Sequence, residues 1–238
     1  MKLLIIIPAY NEQDNIKRVV ENLKNNFPQY DYLVVNDGSA DKTAQICTEN
    51  GYRLLDLPIN LGLAGAVQAG MKYAYRHGYD AAIQFDADGQ HRPEFIEPMM
   101  EKLKSGYDVV IGSRFVTEKK PRSLRMLGST LITFAIRLTT GATIKDPTSG
   151  MRVYNRLMIR QFATQLNHAP EPDTISYLLC RNAKIAEVQV TMDERTAGVS
   201  YLNWTRSMGY MLRMGISILL MQWFRGKEPI VHAQEEET

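Results

Sequence analysis

Cysteines and long apolar runs are both scarce in this sequence of 238 residues. Cys47 and Cys180 are the two cysteines and have no CxxC spacing, so a disulfide scaffold is not indicated and buried, reduced thiols are expected. The apolar run at the N terminus ends after five residues at Pro8, which is too short for a signal segment. In the apolar segment near the C terminus, Trp204–Phe224, the longest uncharged run is Met214–Phe224 with eleven residues, whereas spanning a membrane takes about twenty. We therefore expect a protein at the cytoplasmic side of a membrane, without a spanning helix.

Glycine-rich loops are also missing where two classes of nucleotide-binding enzyme need them. A dinucleotide-binding dehydrogenase would carry GxGxxG directly after the first strand, and a nucleotidyltransferase would carry a glycine-rich, basic loop there. This chain instead has Pro8-Ala9-Tyr10-Asn11-Glu12. Both classes are disfavoured, whereas a non-catalytic nucleotide-binding module stays open.

Charge is unevenly distributed along the chain. The formal net charge is only +2, but residues 112–160 contain ten lysines or arginines and two acidic residues. A basic stretch of this kind indicates an anionic partner, such as a phosphate-bearing substrate or a membrane surface.

Short apolar runs alternate with segments of helical period in the first half of the chain. This alternation predicts an α/β fold with a parallel sheet and helices on both faces. The predicted strands are Leu3–Pro8, Tyr32–Val35, Tyr52–Leu57, Ala81–Phe85 and Val109–Ile111, and the predicted helices are Asp14–Asn26, Asp41–Asn50, Leu63–His77 and Pro93–Ser105.

The second half contains two helices with many apolar residues. The first is predicted at Pro121–Thr140, followed by a short strand, two helices and a strand at Ile185–Val190. The last, Trp204–Phe224, is interrupted by Arg213 and is predicted to lie at a membrane interface. We divide the chain into a catalytic domain at 1–202, an interfacial helix at 203–226 and a flexible acidic tail at 227–238.

Polar loops follow the first, second and fourth predicted strands. Ligands of an open parallel sheet bind beyond the carboxyl ends of its strands, so these loops should converge. The loop after the fourth strand is Asp86-Ala87-Asp88-Gly89-Gln90. Two carboxylates at i and i+2, with a glutamine carbonyl beside them, suit Mg²⁺ or Mn²⁺, and His91 is a further candidate ligand.

Taken together, these motifs resemble the family 2 glycosyltransferases of GT-A fold, most closely the polyprenyl-phosphate sugar synthases of the dolichyl-phosphate mannose synthase type. The resemblance covers about residues 2–203. Its matching segments are Pro8–Glu12, Asn36–Thr43, Asn60–Leu63, Asp86–Gln90, Gly112–Arg114, Asp146–Arg152 and Arg195–Ser200. Two positions depart from the family pattern: Asn36 stands where an aspartate is usual, and Tyr201 stands where a lysine is common.

The resemblance implies a role for each site residue. The residues implied to hold the nucleoside of the donor are Pro8, Tyr10, Glu12 and Asp37. Asp86 would contact the ribose or the diphosphate. Asp88 and Gln90 are the main candidates for ligands of the Mg²⁺ or Mn²⁺ ion, and Asp86 is a further candidate. Arg195 would contact the donor diphosphate. The acceptor phosphate would be bound by Arg114, Arg125 and Ser129.

The expected reaction is transfer of a sugar, with inversion, from a UDP- or GDP-sugar to a polyprenyl phosphate at the cytoplasmic membrane face. The alternative is transfer to a hydroxyl of a lipid-linked glycan, which needs a base such as Glu171 or Asp173. Expected partners are a membrane surface and a small integral membrane protein, and no nucleic acid. The sequence leaves an oligomer open.

Overall fold

The computed structural model describes residues 1–121, 124–165, 171–193, 204–224 and 230. Its seven strands are β1 (Leu3–Ala9), β2 (Asp31–Asp37), β3 (Leu54–Leu57), β4 (Ala81–Gln84), β5 (Val109–Ser113), β6 (Arg152–Asn155) and β7 (Ile185–Gln189). Its α-helices are α1 (Ile16–Asn26), α2 (Thr43–Glu49), α3 (Gly62–Arg76), α4 (Ile96–Lys104), α5 (Leu124–Thr140), α6 (Arg156–Thr164), α7 (Pro172–Cys180) and α8 (Trp204–Phe224). A 3₁₀ turn at Pro93–Phe95 precedes α4.

All seven strands form one sheet in the order β3-β2-β1-β4-β6-β5-β7. The mostly parallel sheet predicted from the alternating pattern is confirmed, but β6 runs antiparallel to β4 and to β5. Its direction follows from the connection, because the chain enters β6 from a loop at the carboxyl end of β5, where Ser149 donates to the Gly112 carbonyl at 2.5 Å. The start of β6 therefore lies at the same edge as the ends of the other strands.

Strand β1 explains why the sheet carries two hydrophobic cores. Its side chains alternate between the faces, as in any strand. Leu4 and Ile6 contribute to the core that includes α3, α5, α6 and α7, whereas Ile5 and Ile7 contribute to the core that includes α1 and α4. Because both faces of β1 are covered, nearly every residue of the strand is buried, and its sequence is a continuous apolar run.

The helix predicted at Trp204–Phe224 is present as α8 and packs on the domain. Met214 and Ile218 of α8 are buried in the same core as Ile132 and Ile136 of α5. No helix among the described residues is long and apolar enough to cross a membrane. The division into domain, interfacial helix and tail stays a prediction; within the predicted tail, Ile230 is buried and donates to the Arg181 carbonyl.

The start of one helix and the exposure of one cysteine differ from the sequence prediction. Helix α2 begins at Thr43 and not at Asp41, because the Asp41 carboxylate accepts a hydrogen bond from the Thr43 N–H and so lies outside the helix. Cys47 is buried, which raises the pKa of its thiol to about 11. Cys180, at the end of α7, is partly exposed, so the expectation that both thiols are buried was wrong.

Candidate functional site

The loops after β1 and β2 are joined by hydrogen bonds at the carboxyl edge of the sheet. Asn11 has a left-handed backbone, with φ of 55°; its N–H donates to Ser39 Oγ, and its side-chain oxygen accepts from the Ala40 N–H. The Glu12 N–H donates to Thr43 Oγ1. Asn36, which replaces the usual acid, binds Asp56 and accepts a hydrogen bond from Ser39. The predicted convergence of these two polar loops is thus present.

A small cleft of about 230 Å³ lies between these loops and the start of α3. Pro8, Tyr10 and Asp37, all predicted to hold the nucleoside, line it. Asp37 is buried and accepts a 2.7 Å hydrogen bond from the Leu61 N–H, so its carboxylate is fixed beside the cleft. Gly38 makes this contact sterically feasible, because a Cβ there would lie 2.6 Å from the Asn60 nitrogen.

The carboxylate of Asp86 is oriented from two sides. Gln84 Nε2 donates to its Oδ1 at 3.0 Å, and His91 Nε2 lies 3.5 Å from its Oδ2. His91 is buried, and its Nδ1 accepts from the Asp86 N–H at 2.9 Å, which fixes the ring against the loop. Because Nδ1 is occupied in this way, His91 holds the loop in shape while Asp86 faces outward.

Asp88 is more deeply buried than Asp86, and its carboxylate is hydrogen-bonded to Gln90, two residues later in the loop. Its Oδ1 accepts from the Gln90 N–H at 3.0 Å, and its Oδ2 accepts from the Gln90 side-chain amide. Gln90 thus presents its amide nitrogen to Asp88, so using its carbonyl oxygen as a metal ligand would require the amide to turn. Within the described part of the chain, no three His, Cys, Asp or Glu side chains converge on a metal site.

The oxygen chemistry of Asp86 and Asp88 nevertheless suits a divalent ion that is shared with a ligand. Mg²⁺ and Mn²⁺ prefer oxygen ligands, and Mg²⁺ is commonly held by one or two carboxylates while substrate phosphates and water complete its coordination. Asp86 is partly exposed, at 36% of its side chain, and can meet such a ligand without moving.

Arg18 of α1 supports this acidic loop and was missed by the sequence analysis. Its Nη2 donates to the Asp88 carbonyl at 3.3 Å and lies 3.5 Å from Asn15 Oδ1. Asn15 in turn donates to Glu12 Oε2 at 2.8 Å. A chain of contacts therefore links Glu12, predicted to hold the nucleoside, with the loop that bears Asp88. Arg18 lies outside every matching motif, so no pattern in the sequence pointed to it.

The basic part of the site begins with Arg114, at the end of β5. Its Nε and Nη2 bind the two oxygens of Asp146 at 2.7 and 2.9 Å, and its backbone N–H donates to the same carboxylate. Asp146 is fully buried. Burial raises the pKa of Asp146, but the hydrogen bonds and charge of Arg114 outweigh that effect and hold the pKa below its usual range. Arg114 is thus anchored as a cation beside the loop that leads into β6.

Ser129, predicted to meet the acceptor phosphate, is buried on α5. It accepts a 3.0 Å hydrogen bond from Lys120 Nζ, which also donates to Thr133 Oγ1 at 3.3 Å. Lys120 belongs to the basic stretch but was not singled out from the sequence. The Arg125 side chain and all of Arg195 lie outside the described residues, so their predicted contacts stay predictions.

The two candidate bases lie at the start of α7. Burial, followed by the charge of Asp173, raises the pKa of Glu171, although Arg213 and Arg152 oppose that shift. The Asp173 carboxylate accepts a hydrogen bond from Ser217 of α8 at 3.1 Å. Arg152 is fully buried and donates to the Glu171, Ser149 and Pro147 carbonyls, which ties the start of α7 to the loop before β6.

Helices α5 and α8 present an exposed apolar surface. Leu127, Leu131, Phe134 and Leu138 of α5 are each more than half exposed, and they recur at the spacing of one helix face. A cavity of about 370 Å³ lies between this face and α8. We call the set formed by Leu127, Leu131, Phe134, Leu138, Ile216, Leu219 and Leu220 the α5–α8 surface.

The contact between Arg18 and Gly89 gives a testable prediction. Gly89 has φ of +80°, and a Cβ there would lie 2.3 Å from Arg18 Nη2. Gly89→Ala should therefore lower the free energy of unfolding by about 1–3 kcal/mol for backbone strain, plus about 1 kcal/mol for the displaced Arg18. Gly78→Ala is the matched control, because Gly78 has φ of +70° with nothing within 4 Å of its Cβ position. Urea denaturation measures both variants, and equal losses would contradict the role given to Arg18.

Comparison with known proteins places this arrangement in a family. The family model described as glycosyl transferase family 2 matches residues 4–162. The chain is 30% identical to polyprenol monophosphomannose synthase of Mycolicibacterium smegmatis over 216 residues, which cover 85% of this chain and 81% of that protein. It is also 30% identical to undecaprenyl-phosphate mannosyltransferase of Micrococcus luteus, with 85% and 88% covered.

A more distant relative and a solved structure agree with the fold. Dolichol-phosphate mannosyltransferase of Pyrococcus furiosus is 29% identical over 94% of this chain, which spans 64% of that protein. Glucosyl-3-phosphoglycerate synthase from Mycobacterium tuberculosis, in complex with Mn²⁺, uridine diphosphate and phosphoglyceric acid, superposes with a TM-score of 0.65 at 21% identity. That superposition covers 94% of this chain and 79% of the other and supports the GT-A fold. Because the family model matches well over half of its residues, the chain belongs to glycosyl transferase family 2.

Proposed function

We propose that this protein transfers a sugar, with inversion, from a UDP- or GDP-sugar to a polyprenyl phosphate at the cytoplasmic face of a membrane. The observation that carries the proposal is the meeting of an acidic loop and a basic loop at one sheet edge. A Cβ on Gly150 would lie 3.1 Å from Asp86 Oδ2, so the loop that anchors Arg114 through Asp146 passes directly beside Asp86. A nucleotide sugar on the acidic side would thus lie next to an acceptor phosphate on the basic side.

The donor half would use the cleft and the acidic loop. In this proposal Pro8, Tyr10 and Asp37 hold the nucleoside, and the diphosphate reaches toward Asp86 and Asp88. A bound Mg²⁺ or Mn²⁺ ion would neutralise the negative charge that develops on the departing diphosphate. Arg195 is proposed to add a second cation, since a guanidinium fork suits phosphate oxygens.

The acceptor half would need no general base. A phosphate monoester is already ionised near neutral pH, so its oxygen can attack the anomeric carbon without losing a proton first. The work left to the chain is to align the two anions and to offset their mutual repulsion, which is a task for fixed cations. The basic residues around Arg114 fit that task.

One observation favours the hydroxyl acceptor as a second candidate. A hydroxyl must lose its proton during attack, and a carboxylate with a raised pKa is suited to accept it. Burial raises the pKa of Glu171 in this way. The names of the similar proteins favour the phosphate acceptor, because they mention polyprenol, undecaprenyl phosphate and dolichol phosphate. We therefore place the phosphate acceptor first.

The α5–α8 surface is proposed to lie on the lipid itself. Ser129 sits on the same helix but on its other side, because residues two positions apart, such as Ser129 and the exposed Leu127 and Leu131, face in nearly opposite directions. In this proposal the apolar chain of a polyprenyl phosphate bound near Ser129 would pass around α5 to this surface, and the surface would reach the bilayer from which the lipid comes. Contiguous apolar patches on a protein commonly mark such contacts.

The transfer itself can be tested directly with radiolabelled nucleotide sugars. Purified protein, Mg²⁺ or Mn²⁺ and a short polyprenyl phosphate should move label from one nucleotide sugar of a UDP and GDP panel into the organic phase. Removal of the metal by EDTA, and Asp88→Ala, should each reduce the rate by at least about a hundredfold. An Asp88→Ala variant that kept full activity in EDTA would contradict the metal assignment. Label found only on added glycan hydroxyls would contradict the phosphate acceptor.

Membrane contact can be tested by flotation with lipid vesicles. The double variant Leu131→Gln, Phe134→Gln should reduce the fraction bound to phosphatidylglycerol vesicles by about tenfold or more, because each side chain contributes about 1.5–3 kcal/mol when fully buried in an apolar phase. Ile59→Gln is the control, since Ile59 is 63% exposed, follows β3 and does not belong to the α5–α8 surface. Vesicle binding that requires a separate integral membrane protein would contradict direct lipid contact.

A further inference from the structure

The Lys120 side chain is unusual among the cations of the basic stretch because its ammonium group is half-buried among hydroxyl groups. Its Nζ donates to Ser129 Oγ at 3.0 Å and to Thr133 Oγ1 at 3.3 Å. Both hydroxyls belong to α5, one helical turn apart, and Thr133 also donates to the Ser129 carbonyl. Lys120 is therefore held against the side of α5 that carries Ser129 and Thr133.

The positive charge of Lys120 is not balanced by a bound carboxylate. Among the described residues, no Asp or Glu oxygen lies within 4 Å of its Nζ. Asp146 and Glu187 act on it from a distance. Asp146 is bound to Arg114, and Glu187 accepts hydrogen bonds from the Lys145 and Asp146 N–H groups. Burial lowers the pKa of Lys120, which shows that its surroundings disfavour the charged form. An ammonium group in such a position favours an anionic ligand, because a ligand charge offsets the cost of burial.

A second cation lies close by. The Arg114 guanidinium is centred 5.3 Å from the Phe115 ring, and Lys120 Nζ lies 5.6 Å from the same ring. The charge of Arg114 also contributes to the lowered pKa of Lys120. Arg114 and Lys120 thus flank one aromatic side chain at the end of β5, and both belong to the surroundings of the proposed acceptor site.

We propose that Lys120 binds the acceptor phosphate directly and exchanges its hydrogen bonds to Ser129 and Thr133 for bonds to phosphate oxygens. This inference rests on the proposed function and adds a residue to it. A phosphate would bring a negative charge next to the positive charge of Lys120, which is bound only to hydroxyl groups among the described residues. A sugar hydroxyl would bring no charge. Lys120 is therefore a determinant of the choice of phosphate over hydroxyl acceptors, and the hydroxyls it releases become available to the same phosphate.

The experiment compares four variants of the full chain. Lys120→Met removes the charge and the donor, Lys120→Gln keeps a donor without the charge, and Lys120→Arg keeps both. Lys119→Met is the matched control, because Lys119 is the adjacent lysine and is exposed. KM is measured for undecaprenyl phosphate and for the nucleotide sugar, and calorimetry gives the Kd for a short, water-soluble polyprenyl phosphate without turnover.

A charge-assisted hydrogen bond to phosphate should make Lys120→Met and Lys120→Gln raise the KM and Kd for polyprenyl phosphate by about tenfold to a hundredfold. The KM for the nucleotide sugar should change less than about twofold, Lys120→Arg should recover most of the affinity, and Lys119→Met should match the unmodified protein. If Lys120 only supported α5, the Gln variant would bind polyprenyl phosphate as the unmodified protein does, and that result would overturn the proposal. The Gln and Arg variants decide the question even if the Met variant does not fold.

The proposed function can fail separately from this inference. If the unmodified protein transfers no sugar to any polyprenyl phosphate but does transfer it to a hydroxyl, the function proposed above is wrong, and the role of Lys120 falls with it. If the unmodified protein uses polyprenyl phosphate and the Lys120→Gln variant uses it equally well, only the role of Lys120 is wrong.

Discussion

The ion pair between Arg114 and the buried carboxylate of Asp146 is the contact on which the two halves of the site depend. Asp146 is fully buried, and it accepts two side-chain hydrogen bonds and one backbone hydrogen bond from Arg114. Its own N–H donates to Glu187 of β7. The pair thus fixes the end of β5 and the loop that continues to Gly150, beside Asp86. Without it, neither the position of the basic loop nor its distance from the acidic loop would be set.

Buried charges in this loop serve position more than stability. A buried ion pair gains little net stability, because desolvation costs about as much as the attraction returns, but loss of one partner leaves an unpaired charge. Arg152 also serves to position the loop, but its partners are neutral. Its guanidinium donates hydrogen bonds to the Pro147, Ser149 and Glu171 carbonyls. These contacts hold the loop between Asp146 and β6 as one unit. A rigid loop between donor and acceptor is what a reaction between two anions requires, because alignment must be maintained against their repulsion.

The sequence predicted where the polar loops after β1 and β4 lie better than it predicted the surroundings of Arg114 and Ser129. Pro8–Glu12 and Asp86–Gln90 follow buried strands, and the geometry of a parallel sheet alone requires such loops to converge. The reversed direction of β6 could not be read from four residues, because it depends on where the chain returns after α5. Arg18 and Lys120 were missed since they act across space, from α1 to the Asp88 carbonyl and from a loop to Ser129. Neither contact leaves a periodic pattern or a motif.

Recognition of a phosphate as the proposed acceptor is tested most directly by comparing two lipids that differ only in that group. With one nucleotide sugar and the same divalent ion, initial rates are measured for a polyprenyl phosphate and for the polyprenol of equal length. We expect the polyprenyl phosphate to give a glycosylated product that mild acid cleaves. The kcat/KM for the polyprenol should be at least about a thousandfold lower, because the alcohol lacks both the charge and the ionised oxygen. Comparable kcat/KM values for the two lipids would contradict recognition of the phosphate.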